Sequence, residues 1–189
     1  MNLAISNPPP WPVRVPVEEY LETEKCSEQR HEFRDGTVIA MAGASKQHER
    51  VAMNLAVSLF AHLKGKPCEV FKSDMKLHMM IYGRTFYLYP DIMVACDPDD
   101  RDSHTVRAPK LLIEVLSEDE NRDRIEKFLM YQRIPSLEEY AVVSQRPDFP
   151  EVCIFRKREG WDPGHVHTSG EVTFESVGLT LDVADLYRA

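Results

Sequence analysis

The stretch from Leu111 to Val143 changes its hydrophobic period twice. It begins with LLIEVLS, a near-continuous apolar run typical of a strand that is buried on both faces. From Glu120 to Arg133 the apolar residues recur at helical spacing, and EEYAVVS then returns to a strand pattern. A strand, a helix and a strand of these lengths predict a βαβ unit with two parallel strands. The fold class predicted from this unit is α/β (α+β).

Glu114 interrupts the first of these strands with a carboxylate, which is expensive to bury unless it is neutralised, paired or bound to a cation. Asp91 stands at the start of another apolar run, in YPDIMVAC. If the two strands are neighbours, both carboxylates and the backbone carbonyl of Val115 form an oxygen-rich site suited to Mg²⁺. Pairing of each acid with a buried arginine or lysine is the alternative, and the presence of two such acids favours the metal.

The rest of the chain supplies further helices and strands. A short helix is predicted after Pro16, and EFRDGTVIAMAGA predicts a hairpin that turns at Asp35-Gly36. Ser45 is the expected N-cap of a helix over Lys46 to Lys64 that stops at Gly65. Strand-rich segments cover 68–81, 85–96, 151–155 and 171–176, and VADLY is a short helix or turn. Residues 1–17, rich in proline, predict an extended N-terminal arm, and 18–189 predict a single domain.

Composition restricts location and partners. No apolar run approaches the length of about 20 residues that crosses a bilayer, and the N-terminus lacks the pattern of a secretory signal, so a cytoplasmic location is expected. The net charge of −8 argues against coating of nucleic acid by bulk electrostatics, although it allows a local basic groove. The scattered cysteines favour buried thiols over a zinc site or a disulfide framework.

An acid followed, after a spacer, by Glu-x-Lys on a strand is the pattern of the PD-(D/E)xK nucleases. Pro90-Asp91 supplies the first part, but the second part reads Glu114-Val115-Leu116, with a leucine at the lysine position. That lysine positions or activates the attacking water and balances charge in the transition state. Lys127, on the following helix, is a candidate replacement. The alternative for Lys127 is an exposed charge paired with Asp123, four residues earlier on the same helix.

Seven motifs occur in the order RHEFRDG, AGASKQH, SDM, YPDIMV, LLIEVLS, DRIEKFLMY and SLEEYAVV. In this combination the chain resembles the Uma-type family of restriction-endonuclease-like proteins, part of the PD-(D/E)xK nuclease superfamily. The resemblance implies a restriction-endonuclease-like core: a mixed central β-sheet flanked by helices, with extra β-hairpins. It implies DNA cleavage that depends on Mg²⁺ (or Mn²⁺), with Asp91, Glu114 and Lys127 as catalytic residues. Asp123 matches the acid that precedes the lysine.

Three further residues are candidates for a supporting role. Glu32 resembles the acid that superfamily members place on their first core element, with a surface charge beside Arg30 and Arg34 as the equal alternative. His48 and Asp74, the latter expected to begin a strand, are candidates to line the pocket, with capping or turn roles as alternatives. His165-x-His167 is expected to be an exposed loop rather than a metal site.

Binding of DNA requires a basic rim. The candidates flank the predicted active strands: Lys72, Lys76, Arg84, Arg101, Arg107, Lys110, Arg122 and Arg124. The acidic run DPDDRD opposes phosphate binding unless it folds away. A homodimer is expected, since double-strand cleavage needs two sites. The rival functions are a catalytically silent binding or assembly module and a hydrolase of a small phosphate ester.

Overall fold

Two β-sheets pack against each other, and a long helix covers the outer face of the larger sheet. The computed structural model describes residues 14–116, 122–162 and 164–188, without the side chains of 122–124. The strands are β1 His31–Arg34, β2 Thr37–Ala40, β3 Glu69–Lys72, β4 Lys76–Ile81, β5 Arg84–Leu88, β6 Ile92–Ala95, β7 Thr105–Val106, β8 Pro109–Val115, β9 Glu139–Val143, β10 Val152–Arg156, β11 His165–His167, β12 Glu171–Phe174 and β13 Leu179–Asp182. The helices are α1 Val17–Cys26, α2 Lys46–Leu63, a π-helical stretch Arg122–Lys127 that continues as α3 Phe128–Tyr131, and 3₁₀ turns at Lys157–Glu159 and Val183–Tyr187.

The strands form three sheets. The five-stranded sheet has the order β2-β1-β5-β4-β7, the six-stranded sheet has the order β11-β10-β9-β8-β6-β3, and β12 pairs with β13. One apolar cluster fills the space between the two larger sheets, and a second lies between the six-stranded sheet and α2. The fold is therefore of the mixed α+β class, as predicted.

Helix α2 forms because its sequence has a start signal and one apolar stripe. The hydroxyl of Ser45 accepts a hydrogen bond from the backbone N–H of His48, which confirms the predicted N-cap. Val51, Leu55 and Leu59, spaced four residues apart, are fully buried against the six-stranded sheet. The helix ends at Leu63, one residue before the predicted end.

Each of the strand-rich segments 68–81 and 85–96 divides into two strands that enter different sheets. The first segment breaks at Ser73, whose φ of 55° ends β3 before β4 begins. The second breaks at residues 89–91, between β5 and β6. Both breaks lie where the two sheets diverge, so Asp91 stands at the junction of the sheets.

The predicted βαβ unit is present at the centre of the six-stranded sheet. Strands β8 and β9 are parallel, with Leu111 opposite Glu139 and Val115 opposite Val143. The connecting helix is described from Arg122 and ends at Tyr131, earlier than the predicted Arg133. Its first part is π-helical rather than α-helical, and such stretches are frequent at functional sites.

The expectation that all four cysteines are thiols is wrong for one pair. Cys68 and Cys96 form a disulfide with their Cα atoms 4.1 Å apart, while Cys26 and Cys153 are thiols. The reason lies in the strand register: Glu69 pairs with Ala95 in the antiparallel β3-β6 ladder, so the two cysteines face each other one step further along. No local sequence signal reveals this cross-strand register.

Two smaller expectations also need correction. His165–His167 is a short edge strand paired with β10 rather than a loop, and the imidazole of His165 contacts Glu159 at 2.7 Å. Asp74 does not begin a strand but lies in the bend before β4. The prediction of an extended arm falls largely on residues 1–13, outside the described part of the chain. Among the described residues, no helix has the length and apolar character needed to cross a membrane.

Leu59→Ala is expected to lower the free energy of unfolding by about 2–5 kcal/mol, because Leu59 is 0% exposed and truncation leaves a cavity. Urea denaturation measures this change. The neighbouring Phe60 is 63% exposed and lies outside the buried stripe, so Phe60→Ala is the control and is expected to alter stability by no more than about 0.5 kcal/mol. Equal losses from both variants would contradict the observed orientation of α2.

Candidate active site

The two predicted acids lie side by side at the ends of neighbouring strands. Strands β6 and β8 are antiparallel, with Ile92 opposite Ile113, and one step further along this ladder Asp91 lies beside Glu114. The backbone N–H of Val115 donates a hydrogen bond of 2.7 Å to Oδ2 of Asp91. The sheet therefore places the two residues at neighbouring backbone positions.

Helix α2 supplies a second contact to Asp91. Nε2 of His48 lies 3.2 Å from Oδ2 of Asp91, the same oxygen that accepts from Val115. The Ser45 cap fixes the first turn of the helix and with it the position of His48. His48 was predicted as a supporting residue, with a capping role as the alternative. In the structure its backbone takes part in the cap while its side chain contacts Asp91.

The surroundings of His48 favour its protonated form. Burial by itself lowers the pKa of the imidazole, but the hydrogen bond to Asp91 and the charges of Asp91 and Glu49 act in the opposite direction. The net result is a pKa of His48 above its ordinary value. Nδ1 of His48 is buried without a hydrogen-bond partner among the described residues, although a carboxylate oxygen of Glu49 lies 3.9 Å away.

Lys127 reaches the acid pair from the helix. Its Nζ lies 2.9 Å from Oε1 of Glu114 and 3.9 Å from Oε1 of Glu32. The lysine is only 7% exposed, which excludes the alternative of a solvated helix charge. The side chain of Asp123, its predicted supporting partner, lies outside the described residues.

Tyr131 is a site residue that the sequence analysis did not identify. Its hydroxyl donates a hydrogen bond of 2.8 Å to Oε1 of Glu114, the oxygen that also contacts Lys127. Burial and the charge of Glu114 raise the pKa of Tyr131 well above its ordinary value, so the hydroxyl remains a donor. The spacing gave a signal, because Tyr131 follows Lys127 by four residues and therefore shares its face of the helix.

Glu32 extends the site into a chain of alternating charges. It is buried on β1, where its Oε2 accepts a hydrogen bond of 3.0 Å from Arg34. Arg34 also donates to Glu126, at 3.1 Å, which joins β1 to the helical segment that carries Lys127. Glu32 thus lies beside the lysine of the site and is not an exposed surface charge. Negative and positive charges therefore alternate along this chain of contacts, in the order Glu114, Lys127, Glu32, Arg34 and Glu126.

A separate buried acid, Glu24 on α1, anchors the chain just before Asp91. The hydroxyl of Tyr89 donates to Oε1 of Glu24 at 2.9 Å, and the backbone N–H of His31 donates to the same oxygen at 2.9 Å. These bonds tie α1, β1 and the end of β5 together. Glu24 therefore has satisfied partners and a structural role.

The donor set of the acid pair suits a hard divalent cation. Within 14–116, 122–162 and 164–188, no three His, Cys, Asp or Glu side chains converge at metal-binding spacing. Mg²⁺ does not need three, because it is commonly bound through one or two carboxylates and keeps several waters. Asp91 and Glu114 are adjacent, and the Val115 carbonyl is the neighbouring oxygen on the chain. These residues match that preference.

Asp74 is not brought into this site. Its side chain is exposed and forms an ion pair with Arg30, with a distance of 2.7 Å. The hydrogen bond from Arg30 holds the pKa of Asp74 below its ordinary value. Asp74 therefore fixes the bend before β4 against β1, in agreement with the turn role that was its alternative.

The predicted basic residues do not form an open basic groove among the described residues. Their partners are Glu49 for Lys72 at 2.7 Å, Asp35 for Arg84 at 3.7 Å, Asp99 for Arg101 at 3.4 Å, Asp102 for Arg107 at 3.7 Å and Glu138 for Lys110 at 2.6 Å. Lys76 lies over the ring of Tyr89, and the side chains of Arg122 and Arg124 are outside the described residues. The acidic loop therefore neutralises its own arginines.

Tyr131→Phe is expected to lower the free energy of unfolding by about 1.5–3 kcal/mol, because a buried hydrogen bond to a charged carboxylate is lost. The measurement is chemical denaturation. Tyr87 is also buried, but its hydroxyl forms no hydrogen bond with a described residue. Tyr87→Phe is therefore the matched control and is expected to change the free energy of unfolding little. An unchanged stability for Tyr131→Phe would contradict the assigned contact.

Comparison with known proteins places the chain in a family. Residues 17–184 match the family described as "Uma2: Putative restriction endonuclease". The uncharacterised protein slr1290 of Synechocystis sp. is 35% identical, over 98% of this chain and 97% of its own length. A second uncharacterised protein of the same organism, sll1609, is 37% identical, over 67% of this chain and 73% of its own length. A crystal structure from Anabaena variabilis, titled as a putative nuclease belonging to DUF820, has a TM-score of 0.71 at 18% identity and covers 92% of this chain and 97% of its own. The chain therefore belongs to the Uma2 family of restriction-endonuclease-like proteins.

Proposed function

We propose that this protein is a metal-dependent endonuclease that hydrolyses phosphodiester bonds in DNA through Asp91, Glu114 and Lys127. The observation that carries the proposal is the distance of 2.9 Å between Nζ of Lys127 and Oε1 of Glu114, with Asp91 directly before the neighbouring strand β6. Two acids and a lysine in this arrangement are the functional groups of the PD-(D/E)xK pattern. The helix supplies the lysine that Leu116 does not.

Asp91 and Glu114, with the carbonyl of Val115, are the residues proposed to hold Mg²⁺ (or Mn²⁺). When bound, such an ion supplies Lewis-acid chemistry: it polarises a phosphoryl oxygen and lowers the pKa of a coordinated water. The neighbouring backbone positions of Asp91 and Glu114 support this assignment.

The remaining residues position these groups. Val115 and His48 fix one oxygen of Asp91, while Tyr131 and Lys127 both contact one oxygen of Glu114. With its cationic group held in the site, Lys127 orients the attacking water or offsets the negative charge that develops on the phosphate. Asp123 stays a proposed partner of this lysine.

Buried charge argues against a purely structural role for the site. Burying Glu114, Lys127 and Glu32 is costly, and an apolar cluster of similar volume stabilises a core as well or better. A silent binding or assembly module would gain little from such a group. A hydrolase of a small phosphate ester keeps the same chemistry and differs only in the substrate.

A homodimer is part of the proposal, because cleavage of both strands of a duplex requires two sites related by symmetry. Analytical ultracentrifugation over a range of protein concentrations measures the oligomeric state. A protein that nicks DNA but remains a monomer would retain the chemistry and lose this part of the proposal.

Wild-type protein is expected to nick supercoiled plasmid in Mg²⁺ or Mn²⁺ and to stop when EDTA is added. Asp91→Asn and Lys127→Met are each expected to lower the rate by roughly 100-fold or more, because each removes a charge that acts in the transition state. Methionine keeps most of the lysine volume, so the variant tests the charge rather than the packing.

Asp148→Asn and Lys25→Ala are the controls, since both residues form exposed ion pairs outside the site. Nicking that survives both Asp91→Asn and Lys127→Met would refute the proposed site. Metal binding by calorimetry without cleavage of any DNA would favour an assembly module, or a small-ester hydrolase if p-nitrophenyl phosphate is hydrolysed.

A further inference from the structure

The tip of the β4-β5 hairpin presents two large apolar side chains to solvent. Tyr82 is 84% exposed and Met80 is 70% exposed. The two-residue turn, Tyr82-Gly83, has positive φ at both positions, 50° and 75°. Asn-Gly is the favoured sequence for such a turn, and a bulky aromatic residue is unfavourable in the left-handed region. Folding alone therefore does not explain a tyrosine at this position.

Arginines surround this tip. The guanidinium of Arg133 lies over the ring of Tyr82, 5.8 Å from its centroid. Arg84 follows the turn directly and shares a single carboxylate, Asp35, with Arg14. Arg133 forms no ion pair with any carboxylate of a described residue. In a chain with a net charge of −8, this region combines exposed guanidinium groups with an exposed aromatic ring.

Strand β5 connects the tip to the candidate active site: Leu88 lies at the level of Glu32, and the six residues from Tyr82 to Leu88 span roughly 20 Å. On the helical side, Arg133 lies two residues after the end of α3 and contacts the ring of Tyr82, while Lys127 lies six residues earlier in the chain. Leu129, on the same segment, is exposed as well. A ligand that lies on the hairpin tip is therefore within reach of the helix that supplies the lysine.

We propose that the hairpin tip, formed by Met80, Tyr82, Arg84 and Arg133, binds an unpaired segment of the DNA strand several nucleotides from the scissile bond, roughly 20 Å along β5 from Glu32. The proposal rests on the proposed endonuclease function. The ring of Tyr82 stacks on a base, as aromatic side chains do in proteins that bind single strands, and the two arginines contact the phosphates. Charge complementarity and the exposed aromatic ring together select this ligand.

The test is fluorescence anisotropy in EDTA with a labelled DNA strand, free and in a fully paired duplex. The single strand is expected to bind more tightly than the duplex. Tyr82→Ala is expected to weaken single-strand binding by roughly 5- to 100-fold, the effect of losing one stacked base, while Tyr82→Phe binds like wild type. Arg133→Ala is expected to reduce the slope of log affinity against log salt by about 0.7.

Tyr82→Asn separates binding from folding. Asparagine tolerates the left-handed conformation, so this variant is expected to have a melting temperature no lower than wild type and to bind the single strand as weakly as Tyr82→Ala. Phe60→Ala and Arg188→Ala are the controls for an exposed aromatic ring and an exposed arginine elsewhere, and both are expected to bind like wild type.

Equal single-strand affinity for wild type and Tyr82→Asn overturns the proposal, as does equal affinity of wild type for strand and duplex. If wild type also nicks plasmid in that case, the endonuclease proposal stands without this surface. Single-strand binding that depends on Tyr82 without any nicking leaves the surface standing and refutes the endonuclease. A loss of dimers in Tyr82→Asn with unchanged DNA affinity assigns the tip to a second copy of the chain and overturns the proposal.

Discussion

The interior contact between Glu114 and Lys127 constrains the structure around it. A carboxylate buried near the end of a central strand requires a partner, and the helix that follows β8 brings one back across the sheet. The π-helical stretch ends at Lys127, and α3 then places Tyr131 four residues later on the same oxygen of Glu114. Because Lys127 and Tyr131 contact Glu114 from the same face of the helical segment, any change in the helical winding of this segment moves both side chains.

The second carboxylate is held by a different part of the fold. Asp91 receives a hydrogen bond from the backbone of Val115 and lies 3.2 Å from Nε2 of His48, so its position depends on the ladder between β6 and β8 and on the first turn of α2. The two sheets diverge at this residue, which leaves one face of the acid pair beside the junction. One acid is thus fixed by the sheet and the other by the helix, and the site exists only where these two elements meet.

The sequence predicted those features that depend on local pattern. Hydrophobic period and turn chemistry predicted three of these features: the turn at Asp35-Gly36, the Ser45 cap and the parallel strands of the βαβ unit. The pairing of Cys68 with Cys96 and the division of 68–81 between two sheets depend on cross-strand register, which no local window contains. Tyr131 was missed because an aromatic residue at helical spacing is usually core packing, and only the position of Glu114 distinguishes the two roles.

The charges restrict how the proposed endonuclease would bind DNA. Of the six predicted basic residues whose side chains the structure describes, five lie within 4 Å of a carboxylate, so phosphate would have to displace an existing partner at each of them. Each exchange of one carboxylate for another anion yields little free energy, because exposed ion pairs contribute about 0–1 kcal/mol. Affinity from bulk electrostatics is therefore small. In the proposed function, stacking on the exposed ring of Tyr82 would add a contribution that neither salt nor the acidic loop neutralises.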